Sequence, residues 1–314
     1  MRVAVLSRSR GLYTTRRLLE ACRAEGLAAQ VLDPLDLSVR IGEGPPLLFL
    51  GETGKGVSRV DLAFPRIGPA LGDYALVVIR QLEGMGVPVV NGSSAVRHTR
   101  DKMTCLQLLS AAGVPTPRTA IIRHPRQLPL ALDQVGGPPV VLKLLHGSQG
   151  IGVVLLETVD AIESVLDTLW SLGQTILIQE FIAESRGQDL RVLIVGGEAL
   201  VAMRRRARAG EFRSNIHRGG TGTLVDPDPG VLDTARRAAA AVGVEVAGVD
   251  LLETRDGPRV IEVNSSPGFQ GLEAASGLDV AGAIVRHGIS LALGTSSRGP
   301  AAKVARASSR RAGR

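Results

Sequence analysis

Aromatic residues are scarce in this 314-residue chain: one Trp, two Tyr and five Phe, 3% in all. A surface that stacks nucleic-acid bases on rings is therefore poorly supported. With 44% hydrophobic residues, the core has to be assembled from Val, Leu, Ile and Ala, which suits parallel strands buried between helices. Cysteine is nearly absent. Cys22 and Cys105 fall in no CxxC or metal-ligand spacing, so they read as reduced, buried thiols rather than a zinc site. No apolar run approaches the roughly 20 residues of a membrane span, and no charged-then-apolar leader precedes the first strand at residue 2. The expectation is a soluble, cytoplasmic protein with no membrane partner. There is no GxGxxG after the first strand, no GxxxxGK[ST] loop and no nucleophilic Ser or Cys triad, so dinucleotide binding, a P-loop and acyl-enzyme chemistry are not supported.

Positive charge is abundant but uneven. Of the formal +7, six cations (Arg298, Lys303, Arg306, Arg310, Arg311, Arg314) lie in the last nineteen residues, which hold no acid, leaving about +1 for the rest. This Ser-, Ala- and Arg-rich segment reads as a disordered basic tail over 295–314, suited at most to contact with a polyanion such as the ribosome.

Ahead of the tail the pattern changes once. Strands over 2–7, 28–32, 61–67 and 87–91 alternate with helices over 14–25 and 71–85, which predicts a small parallel α/β domain over 1–94. A helix capped by Ser93 or Ser94 runs to about residue 112, where Gly113 and Pro115 stop it. Short strands follow, over 119–122, 140–145, 153–157, 176–181, 190–195 and 199–204. Helices over 161–172, 231–242 and 275–291 interrupt them. This predicts a mainly antiparallel α+β region in two parts, 95–184 and 185–294.

Chemistry concentrates in four places. In VVLKLLHGSQGIG (140–152) an apolar strand delivers Lys143 to a loop holding Gly147, Ser148 and Gly150. Glycines let backbone N–H groups approach phosphate oxygens, and the lysine adds a compact charge. A solvated hairpin is the bland alternative, but an ammonium within an apolar strand is costly without a partner. In 249–264 two apolar strands flank an Arg255-Asp256-Gly257 turn. With the turn centred on Asp256, Asp250 falls opposite Glu262, and Asn264 shares the face of Glu262. Two acids and an amide suit Mg²⁺. The segment 204–220 reads as a basic loop (Arg204, Arg205, Arg206, Arg208, Arg213, His217, Arg218) able to grip carboxylates or phosphates. Finally Gln179, Glu180 and Phe181 end a strand, followed by Asp189 and Arg191. A carboxylate there can meet an adenine amine edge or ribose hydroxyls, though an ordinary surface turn explains these residues nearly as well. Lys102, on the preceding helix, could stand near phosphate or be a simple surface charge.

Taken in order, these motifs resemble the ATP-grasp superfamily, and within it the RimK family. The similar strings are LDPLD (32–36), PRIG (65–68), RDKMTCLQLL (100–109), GSQGIGVVLLET (147–158), EFRSNIHRGG (211–220), AGVDLLE (247–253) and EVNSSPGFQGLE (262–273). The resemblance implies a pre-ATP-grasp α/β domain followed by an ATP-grasp fold of two α+β subdomains. It implies ATP and two Mg²⁺ (or Mn²⁺) as cofactors, with L-glutamate joined to the acidic C-terminus of a protein, a small-subunit ribosomal protein, by an enzyme that often forms homo-oligomers. It further implies that Lys143, Lys102 and the loop at Gly147, Ser148 and Gly150 meet the phosphates. Gln179, Glu180, Phe181 and Asp189 would hold adenine and ribose. Arg213, Ser214 and Asn215 would lie by the γ-phosphate and the activated carboxylate, with Arg213 and Lys143 catalytic. Asp250, Glu262 and Asn264 would bind the metals. Two positions depart from the pattern, His146 before the glycine loop and Met203 before the arginines.

The nearest rival is another ATP-grasp amide ligase, such as one acting on an amino-group carrier protein. A rival of another class is a ribosome- or RNA-binding protein, which would have no use for the buried acids of the Asp250–Glu262–Asn264 set. Because the matched region ends before the tail, removing residues 296–314 is expected to leave turnover on a short peptide unchanged. Polyanion capture should weaken in a manner that fades with salt. A truncated protein unable to ligate a short peptide contradicts this division.

Overall fold

The computed structural model describes residues 1–42, 44–45, 47–51, 53–68, 72–144, 152–208, 210–212 and 219–294. Strand β1 (Arg2–Leu6) leads through α1 (Tyr13–Ala24) to β2 (Ala28–Leu32). A three-strand antiparallel flap follows, β3 (Leu37–Arg40), β4 (Leu47–Leu50) and β5 (Lys55–Gly56), and then β6 (Leu62–Pro65) and α2 (Tyr74–Gly84). β2, β1 and β6 form a parallel sheet in that order. Its side chains alternate: Val3, Val5, Leu62 and Phe64 face α1, whereas Ala4, Leu6 and Ala63 pack with residues of α2. The parallel α/β domain expected from the sequence is present.

The predicted strand over 87–91 is not. Only Val89 bridges to Ala63, because Asn91 leaves the sheet to serve another purpose. Its buried amide donates to the carbonyls of Val246 (2.7 Å) and Ser265 (2.8 Å) and accepts from the backbone N–H of Glu245 (2.7 Å) and Val246 (2.9 Å). The helix predicted to run to residue 112 is two helices, α3 (Ser93–Arg100) and α4 (Lys102–Ala111). Asp101 separates them with extended backbone, and its carboxylate accepts from Met103 N (3.0 Å) and Thr104 N (3.2 Å) as an N-cap. The break sets Lys102 at the first position of α4.

Next come β7 (Thr119–Ile122), α5 (Leu128–Val135), β8 (Val140–Leu144), β9 (Val153–Leu156), α6 (Val159–Ser171) and β10 (Ile176–Glu180). They make an antiparallel sheet, β7-β10-β8-β9, over a core shared with α5 and α6. The chain closes with β11 (Gln188–Val195), β12 (Glu198–Arg206), β13 (Thr221–Val225), α7 (Pro229–Val242), β14 (Val246–Thr254), β15 (Gly257–Asn264), α8 (Gln270–Ser276) and α9 (Val280–Ala292). Strands β13-β12-β11-β14-β15 form an antiparallel sheet. One face packs on α7 and α4 through Leu190, Val192, Ile194, Val249 and Val263; the other carries Leu193, Met203 and Val246 against α8 and α9. Gly277 at φ +69° splits the single helix predicted over 275–291 into α8 and α9. Gly288 of α9 sits so close to β6 that a Cβ there would lie 2.5 Å from the Phe64 ring.

Cys22 and Cys105 are free and buried, and burial pushes their thiols up to about 11 and about 12 respectively. Among the described residues no helix is long and apolar enough to cross a membrane. Asn91→Ala strips partners from four backbone groups at once, so a loss of about 3 kcal/mol or more is expected, measured as a drop in urea stability at neutral pH. A loss within about 0.5 kcal/mol, the scale of ordinary surface changes, shows that these four bonds add little to stability.

Candidate active site

The β14–β15 hairpin supplies the acids by a route that spacing alone did not give. Its turn is Arg255-Asp256 between the paired Thr254 and Gly257, not centred on Asp256. Continued unbroken, that register would set Asp250 opposite Ile261. A bulge between Asp250 and Leu251 restores the pairing of Asp250 with Glu262 and of Gly248 with Asn264. The same bulge lets Val260 and Val263 both reach the core.

Asp250, Glu262 and Asn264 therefore share a sheet face with Asp189, Arg191 and Arg205 from neighbouring strands. Asp189 pairs across to Arg205, and Arg191 to Asp250. Arg191 grips Asp250 bidentately, Nε to Oδ1 at 2.7 Å and Nη2 to Oδ2 at 2.8 Å. Arg205 binds Asp189 with Nε–Oδ1 at 2.6 Å and Nη2–Oδ2 at 2.5 Å, and also reaches Asp250 Oδ2 at 2.8 Å. Asp250 and Arg205 are 2% and 3% exposed. Burial opposes ionisation of Asp250, but Arg191 and then Arg205 outweigh it and hold the carboxyl below its ordinary range. Burial likewise disfavours the Arg205 charge, and Asp250 and Asp189 raise its pKa regardless.

Glu262 makes no hydrogen bond or ion pair among the described residues. Its side chain is open to solvent, yet protein crowds it as on the floor of a cleft. Lost hydration and then the Asp250 charge raise its pKa, against the pull of Arg191, Lys143 and Lys102. Those two lysines come from other elements. Lys143 of β8 donates to Gln179 Oε1 at 2.7 Å, and Gln179 Nε2 donates to Thr119 Oγ1 at 2.8 Å. Burial lowers Lys143 to about 8, with Glu262 raising it, Lys102 lowering it and Asp250 raising it. Lys102 donates to the Leu144 carbonyl at 3.2 Å and is lowered by burial, against Glu262. Two lysines from one side thus face two acids from the other.

The acids suit a divalent ion. Glu262 has no cation of its own in contact. Asp250 has three of roughly four lone-pair positions in use, and Asn264 Oδ1 accepts one bond, from Ser266 N at 2.9 Å. Capacity remains on all three.

Other expected residues sit differently. The Glu180 carboxylate is taken by Arg118, from its backbone N–H (2.9 Å) and Nε (2.6 Å). Asp189 is buried against Arg205. Phe181 lies beneath Arg186, 5.8 Å from the ring centroid. Arg204, Arg205 and Arg206 are not loop residues but the end of β12. Arg205 is internal and Arg204 pairs with Glu253 at 2.5 Å, so a basic ligand-gripping surface is not built from either. Met203, 2% exposed, packs in the core beside Phe269 and Leu272, so its departure concerns packing. His146, Gly147, Ser148, Gly150, Arg213, Ser214 and Asn215, together with His217, Arg218 and the tail from residue 295, lie outside the described residues. A groove of about 520 Å³ runs between Val153–Leu155 of β9 and Gly210, Glu211 and Phe212. Spacing missed Arg205 as a partner of Asp250. It also missed Gly248, where a Cβ would lie 2.9 Å from Pro267 Cβ and 3.5 Å from Arg191 Nε. The signal for Arg191 was its place two residues after Asp189, on the same strand face.

Comparison with known proteins matches residues 1–96 to the RimK PreATP-grasp domain and 99–287 to the RimK-like ATP-grasp domain. A probable alpha-L-glutamate ligase of Thioalkalivibrio sulfidiphilus is 49% identical over 285 residues, 91% of this chain and 94% of that one. The crystal structure of a RimK domain protein from Sphaerobacter thermophilus superposes with TM-score 0.70 at 27% identity, over 92% of this chain and 100% of the other. The ATP-grasp ligase PsnB, complexed with minimal precursor, Mg and ADP, shares the fold at TM-score 0.71 and 22% identity, over 93% and 98%.

Arg205→Met removes one cation from two buried acids, and a loss of about 3–5 kcal/mol is expected at neutral pH. The folded-state pKa of Asp250 is depressed, so its stabilisation is present above the unfolded value near ~3.9 and is lost as pH falls through the folded value. Urea denaturation should show the gap between wild type and variant narrowing below pH ~4. A gap independent of pH would mean that the cost is one of packing, not of charge.

Proposed function

The chain belongs to the RimK family of ATP-grasp ligases, and from that premise we propose that it joins L-glutamate to the C-terminal carboxylate of an acidic protein, a small-subunit ribosomal protein. The convergence of Lys143 and Lys102 on Glu262 and Asp250 carries this reading. Two ammonium groups lowered by burial gain from phosphate oxygens, and a carboxylate raised by crowding gains from a cation. A nucleoside triphosphate with its divalent ions brings both.

An acceptor carboxylate is a poor acyl donor. Its oxygen attacks the γ-phosphorus, the bond to ADP breaks, and an acylphosphate forms. The amine of glutamate then attacks the acyl carbon, phosphate leaves, and the amine gives up a proton. Asp250, Glu262 and Asn264 would hold two Mg²⁺ or Mn²⁺ ions, which would supply positive charge to offset that of the phosphate oxygens. Lys143, steadied by Gln179, and Lys102, fixed by the Asp101 cap, stand against the phosphates without needing to move far. By resemblance to the family, Gly147, Ser148 and Gly150 serve the same groups. Arg213, Ser214 and Asn215 serve the γ-phosphate and the activated carboxylate. Because the carboxylates of Glu180 and Asp189 are paired internally, adenine and ribose recognition at Gln179, Glu180, Phe181 and Asp189 falls more to backbone and ring surface than to those acids. Arg205 and Asp189 act through Asp250 as positioning residues. Support for glutamate comes from the relatives at 45–49% identity, named as probable alpha-L-glutamate ligases.

Hydroxylamine in place of glutamate is expected to trap the activated acceptor as a hydroxamate, with ADP formed in equal amount. Lys143→Ala and Glu262→Gln should suppress both products together while leaving the fold intact. With glutamate, mass spectrometry of an acidic acceptor peptide should show glutamyl increments. AMP as the main nucleotide product, or ligation without ATP, contradicts the mechanism. Increments from a different amino acid contradict the substrate.

A further inference from the structure

Arginine is usually accounted for in this protein. Among the described residues, the non-exposed Arg17, Arg100, Arg191, Arg204, Arg205, Arg236 and Arg259 each have a carboxylate partner. Arg66 does not. It sits just past the end of β6, at the carboxyl edge of the parallel sheet, where ligands of open α/β sheets bind. Its Nη2 donates to the Pro267 carbonyl at 2.6 Å, and its guanidinium lies 5.7 Å from the Phe269 ring centroid. Nε is enclosed with no partner, and so is the hydroxyl of Ser266, the residue before Pro267. Nη1 makes no bond among the described residues. Burial, with no acid to offset it, lowers Arg66 to about 10.

A guanidinium kept partly desolvated, holding a carbonyl one residue beyond an unpaired hydroxyl, is suited to an anion that arrives from outside, and its planar fork matches a carboxylate. Its position gives the anion a role. Ser266 and Pro267 directly continue β15 beyond Asn264, and Pro267 packs into the space left by the missing side chain of Gly248. Arg191, the partner of Asp250, borders that same space. From Arg66 to Asp250 the path is therefore Pro267, Gly248, Arg191, with no gap between neighbours.

We propose that Arg66, with Ser266 next to its Pro267 partner, is a carboxylate-binding subsite between the N-terminal parallel sheet and the acid-bearing hairpin, filled by a carboxylate of the amino-acid substrate or of the acceptor peptide. This rests on the glutamate-ligase reading above. Arg66 orients the substrate and takes no part in bond making, so ATP binding is independent of it.

The test compares Arg66→Gln and Arg66→Lys with wild type, full chain with Mg²⁺, in KM for glutamate, acceptor peptide and ATP. A rise of about tenfold or more in one of the first two KM values, with KM for ATP unchanged, is expected for Gln, and Lys should recover part of it. A rise for glutamate assigns the amino-acid carboxylate; a rise for the peptide assigns the acceptor. No rise in either, or a rise for ATP alone, overturns the subsite. If Arg66→Gln does not fold, or if wild type fails to use glutamate and the functional reading falls, labelling decides. Phenylglyoxal modification of wild-type Arg66, mapped by mass spectrometry, should slow several-fold with glutarate while exposed Arg80 is unaffected. Equal labelling of Arg66 with and without glutarate overturns the proposal.

Discussion

A carboxylate removed from water inside a sheet persists as an anion only if cations replace its hydration, and Asp250 has two. Arg191 reaches it from the adjacent strand β11 and Arg205 from β12 one strand further, and Asp189 of β11 anchors Arg205. The result is an alternating ladder, Asp189–Arg205–Asp250–Arg191, lying across three strands of one sheet. Breaking such a buried set by removing one member leaves an uncompensated charge, so each member depends on the others. The ladder also explains why the sheet has a divided face. At one end Leu193, Met203 and Val246 pack on α8 and α9; at the other the charges meet the cleft.

Glu262 stands at the edge of that ladder without an arginine of its own. Across the cleft stand Lys143 and Lys102, both lowered by burial. Each side is held in a less comfortable state than it would have in water, and each is relieved by the opposite charge. The two sides are not joined by plain salt bridges: no ion pair between these lysines and Glu262 exists among the described residues. Lys143 is instead steadied by the neutral Gln179 amide, which is itself held by Thr119. An anionic ligand that carries divalent cations satisfies both sides at once, which is the physical sense of placing the acids on one sheet and the amines on a strand of the other sheet and on α4.

The N-terminal parallel sheet is tied to this site rather than merely attached to it. Asn91 completes backbone hydrogen bonds of Glu245, Val246 and Ser265, at the start of β14 and just after β15. α9 returns to pack on Phe64 of β6 through Gly288. Arg66 contacts Pro267 from the same side. The two strands that carry Asp250 and Glu262 are thus fixed at their cleft ends by residues more than 150 positions away in the chain.

Much of this was legible in the sequence because strand periodicity is local. Alternation placed Asp250, Glu262 and Asn264 on one face, and an apolar run around Lys143 marked a lysine that needed a ligand. The facing of Asp250 and Glu262 came out correctly although the turn was misplaced, because a bulge shifts the register by the one residue at issue. Local rules did not reveal that the helix past Ser93 breaks at Asp101, since a cap carboxylate and a helix-surface carboxylate look alike in a string. Nor did they separate arginines that serve ligands from those that serve other side chains. Arg204, Arg205 and Arg206 form one basic run in the sequence. In the sheet, one is buried on Asp189 and Asp250, one pairs with Glu253, and one is exposed. The sequence by itself determined which residue types could do phosphate and carboxylate chemistry, because composition and period are properties of a short stretch. Only the tertiary structure decided which charges are already neutralised and which remain to meet a ligand, because pairing depends on strand register and on contacts between segments far apart in the chain.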